Sequence, residues 1–113
     1  MSRDTVNAIC ASLPGAEVSD PWGGGHDCWK VGGKVFAVMG SSSPGVAIKT
    51  DSIETAEMLI EAGAGWRDKY LHRSWLKMSW DAPEAELRER VLTSYRLIRA
   101  GLPKKVQAGL GEV

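Results

Sequence analysis

The chain has 113 residues, 43% of them hydrophobic and 25% charged, with 14 basic against 14 acidic side chains. That length suits one domain, expected to span residues 1–113 around a single core, and that hydrophobicity excludes a disordered chain. Zero net charge excludes a generally basic nucleic-acid coat, and no apolar run is long enough to span a membrane.

The first element reads as a helix. Val6, Ile9, Cys10 and Leu13 fall at i, i+3, i+4 and i+7, one apolar stripe. Ser2 is placed to cap it, Asp4 lies in its first turn, and Pro14-Gly15 stops it. From Glu17 the pattern changes to period two with turn residues. His26–Val31 and Lys34–Met39 read as strands, and Gly32-Gly33 between them is a hairpin signal, because primed turns need positive φ. After the serine-rich loop Gly40–Pro44, Gly45–Thr50 reads as a third strand in a meander.

Asp51-Ser52 opens a second helix with Ile53, Ala56, Leu59 and Ile60 on its apolar side. Asp51 and Glu54 have capping-box spacing, and Gly63 and Gly65 end the helix. Trp66–Tyr70 and Trp75–Trp80 read as two more strands. In the second of these, Leu76 to Trp80 alternates apolar and polar. The last helix is expected to be capped by Asp81, with Pro83 in its first turn and Glu84 at N3. Leu87, Val91, Tyr95, Ile98 and Leu102 form its stripe. The tail from about Lys104 is expected to be flexible. The order α-β-β-β-α-β-β-α gives the α+β class: an antiparallel sheet of about five strands, N- and C-terminal helices packed on one face, the other face free.

Little of this supports catalysis or metal binding. Cys10 and Cys28 have no metal or redox spacing and read as core residues. His26 and Cys28 could share one side of a strand, but two ligands are not a metal site, and His72 is distant. Neither His is locally placed as a base for a Ser or Cys nucleophile. Gly23-Gly24-Gly25 lacks the lysine and strand-to-helix context of a phosphate loop. No enzyme, cofactor or metal is expected. The start lacks the apolar stretch of a signal peptide, so a soluble cytoplasmic domain, a monomer away from membranes, is expected.

The zero net charge conceals a segregation. Residues 26–50 set Lys30, Lys34 and Lys49 against Asp27 alone, and residues 64–80 set Arg67, Lys69, Arg73 and Lys77 against Asp68. Residues 51–63 carry only acids: Asp51, Glu54, Glu57 and Glu61. All 5 Trp lie between Trp22 and Trp80, in the same strand-rich part as the cations. Cations interleaved with aromatic rings suit a polyanion with stackable bases. The same composition also suits a protein-interaction surface centred on Trp66 and Trp75.

Several runs together carry a family resemblance. They are Leu13-Pro14-Gly15-Ala16-Glu17 with Pro21-Trp22-Gly23, then Trp29-Lys30-Val31-Gly32-Gly33-Lys34-Val35-Phe36-Ala37, then Val46-Ala47-Ile48-Lys49-Thr50 before the acidic helix. Tyr70-Leu71-His72-Arg73-Ser74-Trp75 and Ser94-Tyr95 closing on Leu102-Pro103-Lys104-Lys105 complete them. From about Thr5 to Lys105 the chain resembles the MmcQ/YjbR family. The resemblance implies a CyaY-like fold and a DNA-binding role in which two β-wings meet the duplex. Many members carry His directly before the Trp matching Trp75, where this chain has Ser74, so no role of that His is carried over. The frataxin-like iron site is not carried over, because the first helix offers only Asp4. The expected DNA contacts are Lys30, Lys34, Lys49, Arg67, Lys69, His72, Arg73, Trp75 and Lys77, the hairpin forming one wing and the Arg67–Lys77 segment the other. A protein partner on an exposed aromatic and basic sheet face is the alternative.

Overall fold

The computed structural model describes residues 1–112. In chain order its elements are α1 (Arg3–Ser12), β1 (Ala16–Ser19), β2 (Asp27–Val31), β3 (Lys34–Met39), β4 (Gly45–Lys49), α2 (Ile53–Glu61), β5 (Trp75–Ser79), α3 (Glu84–Ala100) and α4 (Lys104–Ala108). The strands form one sheet in the order β1-β2-β3-β4-β5, and every neighbouring pair is antiparallel. The α+β class, the five-stranded antiparallel sheet and the one-sided helical layer are as expected. No described helix is long and apolar enough to cross a membrane.

Two strands differ from expectation. β1, a run of four residues, takes the outer place beside β2. Trp66–Tyr70 is not a strand. Only Trp66 pairs, bridging to Lys77 on the outer edge of β5. Two residues later the Asp68 carboxylate accepts the Tyr70 N–H at 2.9 Å, and the chain turns away. Two caps differ as well. Ser52, not Asp51, caps α2 by accepting the Thr55 N–H. α3 starts after Pro83 without a side-chain cap, while Asp81 stays in the preceding turn with its N–H on the Ser79 hydroxyl. The tail expected to be loose folds back instead as α4, and Gln107 donates to the Leu102 carbonyl at 2.7 Å.

Cross-strand partners share a sheet face, so the register sorts the residues. Trp29, Ala37, Ile48 and Leu76 face the core with Val46 and Met78. They pack against Val6, Ile9 and Leu13 of the α1 segment and Leu87, Val91 and Tyr95 of α3. Ser19, Cys28, Val38, Ala47 and Lys77 form a row on the opposite face. A bulge between β2 and β3 leaves Phe36 as the extra residue. It turns into the core and meets Tyr95 edge to face, ring centroids 5.3 Å apart.

Three polar groups lock the layers together. The buried Ser94 hydroxyl donates to the Phe36 carbonyl at 2.6 Å and accepts the Lys49 N–H at 2.9 Å. A side chain from α3 thus stands where a β3–β4 ladder bond would run. The Tyr95 hydroxyl donates to the Pro14 carbonyl at 2.5 Å. On α1, Arg3 and Asn7 both donate to the Asp27 carboxylate, and the Trp29 indole N–H donates to Asn7 at 2.8 Å.

Candidate nucleic-acid interface

Sheet topology gathers part of the expected site at one end. The β2–β3 turn, the C-terminus of β4 and the start of β5 lie together there, because Val31 opposes Lys34 and Lys49 opposes Trp75. Lys30, Lys34, Lys49, His72, Arg73 and Trp75 therefore occupy one end of the sheet. The turn itself needs its glycines: Gly32 and Gly33 have φ of 55° and 81°. Gly32 also lies under Leu102, which a β-carbon there would approach to 2.5 Å. That contact brings the exposed Lys104 and Lys105, two and three residues further on, to the same end. Sequence alone assigns this pair no contact role. Their nearness to the hairpin depends on Leu102, which lies about 70 residues from Gly32 and shares no short-range pattern with it.

The individual cations differ in how free they are. Lys34 is exposed, and with Lys49 it borders a hollow of about 240 Å³ over Leu97 and Ile98. Lys30 lies opposite Glu17 in register, without an ion pair between them. The Lys49 ammonium donates to the Ser74 hydroxyl at 2.7 Å. The Ser74 backbone N–H can only donate, and it points at His72 Nδ1 at 3.1 Å, with the Ser74 hydroxyl 2.8 Å from the same nitrogen. That nitrogen is therefore an acceptor inside the molecule. Ser74 is buried, and Trp75 is half-buried. Arg73 pairs with Glu57 of α2, both side chains more than half exposed, so the pair is weak and open to exchange.

The other expected wing is a loop along the β5 edge. Arg67 and Lys69 are exposed there and form no ion pair among the described residues. Lys77 is held by Asp68 at 3.2 Å, with only 21% and 16% of the two side chains exposed. Burial pushes the Asp68 pKa up, but the Tyr70 N–H and the Lys77 and Arg67 charges outweigh it and hold the pKa below the usual carboxylate value. Lys77 is thus occupied, unlike its neighbours on the loop. Tyr70 is 84% exposed, with the Lys69 ammonium 5.1 Å from its ring centroid. The strand expected over Trp66–Tyr70 gives Tyr70 no contact role. The signal for its exposure is Asp68, a turn former inside the supposed strand.

Trp22, 66% exposed, stands at the other end of the sheet, edge-on to His26. The triple-glycine loop that carries it is shaped by Asp20, which accepts the Gly25 and His26 N–H groups. Both cysteines are free and buried, and burial pushes the Cys10 thiol up to about 12. Neither is an activated thiolate. Among the described residues no three His, Cys, Asp or Glu side chains are grouped to hold a metal ion.

The YjbR family model matches residues 11–97. Among solved structures, the crystal structure of the Deinococcus radiodurans protein DR2400, with the family-model domain DUF419, aligns at a TM-score of 0.84 and 23% identity, covering 96% of this chain and 88% of that one. At that identity the likeness is one of fold. No curated protein matches the chain.

Proposed function

We propose, from the premise that the chain belongs to the YjbR family, that it is a non-catalytic, monomeric DNA-binding module of the cytoplasm. Lys30, Lys34, Lys104 and Lys105 hold phosphates at the hairpin end, and Arg67 and Lys69 hold them at the β5-edge loop. The observation that carries this reading is the gathering at the hairpin end of cations from two distant segments, Lys30 and Lys34 with Lys104 and Lys105, none of them held by an ion pair among the described residues. From β3 of the hairpin to the loop that bridges onto the outer edge of β5, the two wings stand about 14 Å apart at three strand spacings, close to the ~12 Å width of the major groove. Phosphate contacts position a protein without reading sequence, so weak sequence preference is expected. Unpaired, buried thiols fit a reducing compartment.

Fluorescence anisotropy with a labelled duplex at low salt tests the reading. Saturable binding that the Lys30→Glu/Lys34→Glu double variant weakens by tenfold or more, roughly 1.4 kcal/mol or above, supports it. Binding that this folded variant leaves unchanged removes the hairpin from the interface.

A further inference from the structure

A second cleft lies at the opposite end of the sheet from the hairpin, and its chemistry is the reverse of the basic surface. It has a volume of about 530 Å³, within the range of small-molecule sites. The C-terminal turn of α2, the β5 edge and the entry to α3 enclose it. Leu59, Ala64 and Ala82 supply apolar lining, and Trp66 forms one wall. That wall is fixed from behind. The Trp66 backbone makes both bridge bonds to Lys77, at 3.0 and 2.9 Å, yet the residue is still 38% exposed. Gly65 permits the close approach, since a β-carbon there would lie 2.5 Å from the Lys77 carbonyl oxygen.

The charged side chains that line this cleft have one sign. Asp81 and Glu86 line it, and no Lys, Arg or His does. Neither carboxylate forms an ion pair among the described residues. The Met1 ammonium bonds the Trp80 carbonyl at 2.8 Å and pairs with neither. α2 ends at the cleft in a glycine turn, with Gly63 at φ 81° and the Ala64 N–H on the Leu59 carbonyl. Its last turn contains no basic residue, so the negative end of its dipole is uncompensated. The N-terminus of α3 contributes roughly half a positive charge, which the first-turn carboxylate of Glu86 outweighs, while Glu84 is paired with Arg88.

We infer that this cleft binds a small organic cation, an ammonium group carried on an apolar or aryl stem. The ammonium is drawn to Asp81, Glu86 and the Trp66 ring face, and the stem displaces water from the alanine and leucine surface. An anion meets net repulsion there, and a neutral analogue gains the apolar contact alone.

The test is an amide and indole NMR titration of the full chain with 2-phenylethylammonium, against 2-phenylethanol and 3-phenylpropanoate. The Trp66 indole N–H and the Gly63 and Gly65 amides should shift saturably with the ammonium. The alcohol should bind about tenfold more weakly, and the carboxylate should give no cleft shifts. The Asp81→Asn/Glu86→Gln variant removes charge without truncating either side chain, and it should lose about tenfold in ammonium affinity while its alcohol affinity stays unchanged. Equal affinity for all three probes, no saturable cleft shift with the ammonium, or ammonium binding unaffected in that variant would each overturn the inference.

Discussion

Single side chains decide whether the layers of this fold close. Ser94 satisfies a strand carbonyl and a strand N–H at once, from a buried position on α3. Ser94→Ala leaves the Phe36 carbonyl and the Lys49 N–H without that partner and should cost about 1–3 kcal/mol in urea unfolding. A loss below about 0.5 kcal/mol, the size of an ordinary surface change, would mean the ladder closes without the hydroxyl. The hairpin glycines separate two costs. At Gly33 nothing lies within 4 Å of the place a β-carbon would take, so Gly33→Ala should cost only the left-handed backbone penalty, about 1–2 kcal/mol. At Gly32 the same penalty is joined by displacement of Leu102, so Gly32→Ala should be the more damaging of the two. Equal losses in thermal unfolding would show that Leu102 yields freely. In the sequence Gly32-Gly33 is legible locally as a hairpin signal, whereas Ser94 is visible only as a fragment of a family resemblance. Their roles depend on contacts between segments dozens of residues apart, which no local period encodes.

At the level of elements, periodicity is informative where it repeats. The stripes of α1, α2 and α3 and the alternation of β5 each run through several residues on one face, and the structure has them at the expected places. β1 has four residues and one large apolar side chain, Val18, itself 50% exposed, too little for a period to show. The Trp66–Tyr70 segment is strand-like by composition, but Asp68 bends it. Placement of the cations is legible as charge segregation, whereas Arg73–Glu57 and Lys77–Asp68 join residues apart in sequence, and such pairs leave no local sign. Asp68→Asn should release Lys77 and raise duplex affinity in low-salt anisotropy. Unchanged or weaker binding would show that the loop's shape matters more than the freed charge. The α1–β2 contact titrates. Burial opposes ionisation of Asp27, but the Asn7 and Arg3 hydrogen bonds and the Arg3 charge prevail and lower its pKa. A lowered folded-state pKa stabilises above the unfolded value of about 3.9 and is lost as pH falls through the folded value. Asp27→Asn should therefore cost stability near neutral pH and progressively less in acid. A stability gap that stays constant in urea melts down to strongly acidic pH would contradict this linkage.

For the whole molecule, net charge is a poor guide and its distribution is the useful quantity. The basic hairpin end and the acid-lined cleft by Trp66 lie at opposite ends of one small sheet, so a balanced total describes neither. α2 carries acids without a cation and repels a duplex from its own side, which leaves the hairpin end and the β5-edge loop as the approach. The salt dependence of duplex affinity tests this account most directly, because counterion release counts the phosphates engaged. If about four of the six proposed cations engage phosphates, the logarithm of affinity should fall against the logarithm of salt with a slope of about −3.6, and Lys34→Ala should reduce that slope by about 0.9. A slope near zero, or one that Lys30→Ala, Lys34→Ala, Lys104→Ala and Lys105→Ala all leave unchanged, would contradict it.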